Sequence, residues 1–316
     1  METINLTYPH DLIRENLPET VAAIGFFDGV HKGHQAVIQK AVKLAQEEKK
    51  TSAVISFYPH PSVVLQKNVT SVSYITPQSE KETMLASLGV DKFYIISFNK
   101  ELSLLSPKDF IDHFIIGLHI KHLVAGFDFT YGHKGKGNME NIDLYRNGAF
   151  QVSAVDKVEV DSEKASSTNI RKALKEGEIN LANHVLGRHF TTTGTVISGD
   201  KRGQKMGFPT ANLQIDDEKL LPKIGVYAVR ITVKGETYDG MASLGLVPTF
   251  KEDLEHPVAE VNILDFDEDI YDETVTVYWY EFIRPEIKFD GMENLIAQMK
   301  EDEVQIRHYF RGLNEE

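Results

Sequence analysis

A chain of 316 residues with 41% hydrophobic and 26% charged side chains has the size of two ordinary globular domains, and this composition excludes a disordered or collagen-like chain. The absence of Cys excludes disulfides, thiolate metal sites, iron–sulfur clusters and a Cys nucleophile, and fits a reducing compartment. A net charge of −13, no apolar run of ~18 residues and an N-terminus, METINLTYPHDLIREN, without a signal-peptide layout lead to the expectation of a cytoplasmic protein with neither nucleic-acid nor membrane partners.

In chain order, TVAAIGF (Thr20 to Phe26) reads as a buried strand, followed by a turn and then by GHQAVIQKAVKLAQEEKK. There Val37, Ala41, Leu44, Ala45 and Glu48 recur at helical spacing. SAVISFYP and KFYIISF (Lys92 to Phe98) read as further strands. SPKDFIDHFI (Ser106 to Ile115) combines a Ser cap, Pro at the first helical position and Asp109 three residues after the cap, which predicts a helix. HLVAGFDF and GAFQVSAVDKVEV are later strands, SSTNIRKALKEG (Ser166 to Gly177) is a capped helix ending at Gly, and NLANHVLG is a short helix. Strands alternating with helices predict a parallel sheet.

Charge and period both change near residue 184. Residues 1–184 carry 20 basic and 22 acidic side chains, whereas residues 185–316 carry 14 and 25. From His189 onward TTTGTVIS, GVYAVRITVKG, ETYDGMASLG, VAEVNILDF and ETVTVYWYEFI alternate with period two and predict a small antiparallel barrel. DFDEDIYDE reads as a solvated turn between strands. ENLIAQMKEDEVQIRHYFRGL closes the chain as an amphipathic helix, apolar at Leu295, Ile296, Met299, Val304 and Ile306. The expected architecture is therefore α/β: a Rossmann-like parallel-sheet domain over 1–184, then a small antiparallel β-barrel domain with a C-terminal helix over 185–316.

The densest cluster is GFFDGVHKGH (Gly25 to His34), set between the first strand and the first helix. At the carboxyl end of a parallel strand a ligand meets the free N–H groups and positive dipole end of the next helix, which suits phosphate. Gly29 and Gly33 allow close approach, and His31 and His34 stand three apart at the helix start. Two imidazoles there can donate to phosphorus-bound oxygens as charge grows on them. A lone His beside a turn is more often structural; the whole string in this setting reverses that preference.

HKGH resembles the HxGH signature of the nucleotidyltransferase superfamily, and GFFDGVHKGH is similar to the bacterial bifunctional riboflavin kinase/FAD synthetase family. FYPHP, GFDFTYGHKGKGN and SSTNIRKAL follow in the family's order. The resemblance implies transfer of AMP from ATP to the phosphate of FMN, giving FAD and pyrophosphate, with Mg2+ accompanying ATP. It implies His31, His34 and Arg171 as catalytic residues, Arg171 neutralising the leaving pyrophosphate. Gly25, Phe26, Asp28, Gly29, Gly33, Ser167 and Thr168 would form the ATP-phosphate side, and Pro59, His60, Pro61, Asp128 and Phe129 the flavin side. An FMN phosphate is already ionised, so the task is alignment and charge neutralisation.

In the second half GFPTAN resembles the signature of the riboflavin kinase module, and no GxxxxGK[ST] loop occurs. The resemblance implies Gly207, Thr210 and Asn212 at Mg–ATP, Thr210 and Asn212 as metal ligands, Glu260 as base for the ribityl hydroxyl and Arg284 as a flavin contact. Several positions depart from the family pattern. Ser198 stands for the usual His before Gly199, Gln204 for Arg, Ser243 for Asn, Asn262 for His and Asp272 for Gly. Loss of an Arg near phosphate removes ~1.5–3 kcal/mol of charge-assisted bonding.

Two activities on the substrates ATP, FMN and riboflavin are therefore expected. The alternatives are a monofunctional adenylyltransferase with a degraded or regulatory barrel, and a non-enzymatic flavin-binding regulator, against which the paired imidazoles speak. A metal hydrolase built on His119 and His122 lacks HExxH and a third ligand. The sequence sets no oligomeric state.

Overall fold

The run TVAAI forms β2 (Thr20–Ile24), in which all five residues are buried. Alternate residues enter opposite cores. Ala22 and Ile24 join Ile55, Tyr94, Ile96 and Leu123 on one face, while Val21 and Ala23 join Val54, Phe93, Ile95 and Val124 on the other. A strand apolar on both faces belongs inside a parallel sheet covered on both sides. The flanking strands are β1 (Glu2–Leu6), β3 (Thr51–Tyr58), β4 (Lys92–Ser97), β5 (Ile120–Gly126) and β8 (Gln151–Val155), in the order β1-β4-β3-β2-β5-β8. Every pairing is parallel. The computed structural model describes residues 1–160, 163–199, 203, 207–248 and 255–315, and the chain divides into two units, Met1–Ser167 and Thr168–Glu316.

Helix α1 (Lys32–Glu48) covers one face through Val37, Ile38, Ala41 and Ala45. Leu85 of α3 (Gln78–Ser87) packs on the same face. The opposite face is covered by α5 (Pro107–Phe110), begun as expected by Ser106, whose side chain accepts from the Asp109 N–H, and by Pro107. That helix then widens into a π-helix over Ile111–Ile116 rather than continuing as α. At Gly117, just after it, a Cβ would lie 2.3 Å from the His113 carbonyl, so only glycine fits the wide turn. Elements without a clear apolar period escape the sequence reading, among them β1, a single-neighbour edge strand with little apolar content, α3, whose buried face includes a lysine, and the short α2 (Pro61–Leu65), α4 (Lys100–Ser103) and α6 (Asp143–Arg146).

In the second unit, α7 (Ser167–Glu176) and α8 (Ile179–Leu186) precede a closed barrel. Its strands are β11 (Phe190–Ile197), β12 (Ala211–Ile215), β13 (Gly225–Val233), β14 (Glu236–Pro248), β15 (Glu255–Ile263) and β16 (Thr274–Arg284), ordered β11-β12-β15-β14-β13-β16 and all antiparallel. Closure leaves no free edge. Trp279 is fully buried in this unit and donates through Nε1 to Thr192 Oγ1 at 2.9 Å. The C-terminal helix (Met292–Glu315) packs Ile306 and Phe310 against Val226, Ala228 and Met241. Val304, counted above as part of the apolar face, is 67% exposed; the inward position of that turn is taken by Asp302. Asp302 accepts three hydrogen bonds from Arg284. β12 starts inside the GFPTAN motif and is only five residues long, too short for its period to mark a strand in the sequence.

Candidate active sites

The segment from Gly25 to His31 leaves β2 and enters α1 through an unusual turn. Phe27 has φ +53, Gly29 +90 and Val30 +41, and a β-branched residue there is strained. Buried bonds hold the turn in place. Asp28 Oδ1 accepts from the Thr76 N–H at 3.1 Å, Ser167 Oγ donates to the Asp28 carbonyl at 2.7 Å, and the Phe26 carbonyl accepts from Ser56 Oγ at 2.9 Å. A Cβ on Gly25 would sit 3.1 Å from the Phe27 ring.

His31 caps α1, its Nδ1 accepting from the His34 N–H at 3.3 Å. That bond assigns the proton of the neutral ring to Nε2, which is then a donor. The two imidazoles stack, with centroids 3.6 Å apart and planes 21° from parallel. A Cβ at Gly33 would lie 3.1 Å from His31 Cε1, so glycine lets the rings meet. His34 Nδ1 is buried without a hydrogen-bond partner. Burial first, then the charges of His31, Lys81 and Lys164, hold His34 well below its ordinary range, so it is neutral at neutral pH.

The loop after β3 reaches this turn. The Phe26 ring meets His60 edge-on at 4.7 Å and stacks over Tyr74 at 6.2 Å, while the His60 N–H donates to Tyr74 Oη at 3.0 Å. His60 caps the short α2 (Pro61–Leu65), with Pro61 at its first position and a cis peptide before Pro59. Phe129 stacks on Tyr131 at 5.9 Å. Asp128 is ion-paired with Lys164, which also lies over the Phe127 ring at 4.9 Å. Thr168 and Arg171 follow Ser167 on α7 and fall in the second unit.

Sequence reasoning missed Lys81, Lys164, Ser56, Tyr74 and Thr76. The one signal for Lys81 was its spacing of four from Leu85, which puts both on the buried face of α3. His119 and His122 point to different partners: His119 Nδ1 is 2.7 Å from the Leu17 carbonyl, and His122 bridges Glu48 at 2.6 Å and Ser153 at 2.9 Å. Among the described residues no group of three His, Cys, Asp or Glu could hold a metal.

In the barrel, Thr210 immediately precedes β12, and its Oγ1 donates to Glu260 Oε2 at 3.2 Å. Register places Glu260 between Asn212 of β12 on one side and Ser243 of β14 on the other. A Cβ on Gly199 would collide with the Asn212 side chain at 2.3 Å, and one on Gly203 with the Phe208 carbonyl at 2.2 Å, so the segments around GFPTAN need these glycines. Gly207 has φ +83. Buried Asn262 donates through Nδ2 to the Pro209 carbonyl at 2.8 Å and so anchors the motif. Asp272 has φ +64, a conformation that glycine adopts freely and Asp tolerates. Ser198 and Ser243 are exposed, and Gln204 lies outside the described residues. A cavity of about 520 Å³ opens beside Thr210, lined also by Val261, Ile263 and the turn from Phe266 to Tyr271. The acidic turn is thus more than solvated: it walls a cavity, and Asp265 accepts two hydrogen bonds from Arg307. Arg284 is engaged by Asp302 at 2.7–3.0 Å.

Residues 13–169 match the FAD synthetase family and residues 186–310 the riboflavin kinase family. The chain is 49% identical to the bifunctional riboflavin kinase/FMN adenylyltransferase of Listeria monocytogenes, covering 100% of each chain, and 44% identical to that of Bacillus subtilis, covering 99% of each. The Escherichia coli protein of the same name is 31% identical, over 95% of this chain and 96% of its own. A crystal structure described as a macrolide-efflux protein from Streptococcus pneumoniae superposes with a TM-score of 0.87 at 35% identity, over 97% of this chain and 99% of that one. No described helix of the present chain is long and apolar enough to cross a membrane.

Proposed function

Because the chain belongs to the bifunctional riboflavin kinase/FMN adenylyltransferase family, we propose that its first unit joins FMN to the adenylyl group of ATP and that its barrel phosphorylates riboflavin to FMN. We propose residue 184 as the functional boundary, a position supported by its lying between the two family matches, residues 13–169 and 186–310. The stacked His31–His34 pair at the end of β2, with His34 held neutral, carries the reading of the first unit.

A phosphate oxygen of FMN attacks the α-phosphorus of ATP, an oxygen–phosphorus bond forms, and the bond to the leaving pyrophosphate breaks. No strong base is needed, since the nucleophile is already ionised. His31 Nε2–H and His34 donate to oxygens on the reacting phosphorus, and the N-terminus of α1 adds its dipole. Asp28 and Ser167 hold the turn in shape through the Thr76 N–H and the Asp28 carbonyl. The family resemblance gives Thr168 to the ATP phosphates and Arg171, one helical turn beyond Ser167, to pyrophosphate. Pro59, His60, Pro61, Asp128 and Phe129 are proposed for the flavin side.

In the barrel, Glu260 takes the proton of the ribityl hydroxyl as that oxygen attacks the γ-phosphorus, and Thr210 orients the carboxylate. Thr210, Asn212 and a single carboxylate are hard oxygen donors, a set that fits Mg2+ arriving on nucleotide phosphates. When bound, Mg2+ offsets phosphate charge; Thr210 and Asn212 are the residues that would hold it. The barrel cavity beside Thr210 is proposed for the nucleotide and Arg284 for the flavin side. Asn262 keeps the motif in place without the family's His.

The test is a product assay on purified protein with ATP, Mg2+ and either riboflavin or FMN, resolving FMN from FAD. His31→Ala and His34→Ala are expected to lower FAD formation by ~10²-fold or more. Glu260→Gln is expected to lower riboflavin phosphorylation ~10²–10⁴-fold while FAD formation from FMN persists. Undiminished FAD synthesis in both His variants would refute the site, and no FMN from riboflavin in the wild type would refute the kinase.

A further inference from the structure

Beneath the phosphate turn lies a buried cation that the reaction as drawn does not use. Lys81, from α3, is 2% exposed. Its Nζ donates to the Phe26 carbonyl at 3.1 Å and lies 5.2 Å from the Phe26 ring centroid. Two residues before α3, the Thr76 N–H donates to Asp28. The approach to α3 and the helix itself therefore grip the turn at two successive points, Phe26 and Asp28, on either side of the left-handed Phe27. A lysine is costly to bury, and a leucine or methionine would have filled this face of α3 at lower cost. Holding a strained turn in a single shape requires surroundings that over-determine it.

We propose that Lys81 is a positioning residue for adenylyl transfer: its ammonium fixes the Phe26 carbonyl, and with it the turn that receives the phosphates, and places a positive charge behind His34. This rests on the reading that the turn and the His pair meet the nucleotide phosphates. The charged and titratable groups around Lys81 are Asp28 of the turn, which favours its protonated form, and His34 of α1, whose protonation it opposes. His31 and Lys164 also act on His34, and Glu80 and Glu82 flank Lys81 on its own helix. Burial, partly offset by Asp28, lowers the Lys81 ammonium to about 8. It is therefore charged at neutral pH and loses its proton just above.

Three consequences separate this role from simple packing. The rate of FAD formation from FMN at saturating substrate should fall as pH rises through about 8. Lys81→Arg keeps its charge, so it should move that fall to higher pH. Lys81→Met removes the charge; it should lower kcat roughly tenfold or more and move the acid limb upward, since His34 then protonates more readily.

The experiment measures kcat and KM for FMN and ATP from pH 6 to 10 on the full chain, for wild type, K81R, K81M and H34A, with thermal unfolding as a control. A K81M rate within about twofold of wild type, with an unmoved pH profile, overturns the inference. If K81M does not fold, K81R decides: an alkaline limb unchanged from wild type overturns it, and a displaced limb supports it. Loss of activity in H34A with unaffected Lys81 variants rejects Lys81 alone, whereas full activity in H34A rejects the site reading beneath it.

Discussion

Replacing Asp302 probes how the C-terminal helix is held to the barrel. The side chain is 2% exposed and accepts from Arg284 Nε at 2.9 and 3.0 Å and from Nη2 at 2.7 Å. Gln298 adds a bond at 3.0 Å. Asp302→Ala leaves a guanidinium and an amide without their acceptor, and breaking a buried pair from one side costs ~3–5 kcal/mol. Arg284 keeps 17% exposure, so water reaches part of it and the lower end, about 3 kcal/mol, applies. For a unit of this size that is a fall in Tm of about 6–12 °C, read by calorimetry as the barrel's transition. Asp302→Asn retains one acceptor and should lose about half as much. The double variant Arg284→Met/Asp302→Leu should recover most of the loss, because an apolar pair needs no desolvated charge. A Tm for Asp302→Ala within about 2 °C of wild type would refute the reasoning, since so small a shift means less than about 1 kcal/mol.

Two further outcomes follow from local geometry. Burial pushes the Glu48 carboxyl up, but hydrogen bonds from Lys50 and His122 outweigh it and hold it below its ordinary 4.5. Its stabilising contribution is therefore complete above pH 4.5 and is lost as pH falls through the depressed value. Glu48→Gln should flatten the acid part of the stability profile in urea titrations, and an unchanged profile would count against the pairing. At Asp272, φ +64 predicts that Asp272→Gly stays within about 1 kcal/mol of wild type while Asp272→Val loses ~1–2 kcal/mol, measured by denaturant unfolding. Equal stability of all three would show that the turn relaxes.

Legibility followed the range of the interactions involved. The central strands, α1 and five of the six barrel strands could be read because burial on a regular lattice writes its own period: TVAAI is apolar on both faces, and β13 alternates toward its end. The phosphate turn was legible because its glycines answer to local backbone needs, φ +90 at Gly29 and ring contact at Gly33. Elements without such periodicity were missed. β1 owes its place to β4, 90 residues away in register, and α3 buries a lysine that no apolar pattern announces.

The sequence alone determined the two-part architecture, the phosphate turn with its His pair and the barrel motif, since periodicity, glycine and capping act over a few residues. Tertiary structure decided which donors grip that turn, that Glu260 is held by Thr210, that Asn262 anchors Pro209 and that Arg284 answers to a buried Asp302. These are bonds between residues 18 to 55 positions apart, and only the folded chain brings such groups within hydrogen-bonding distance of one another.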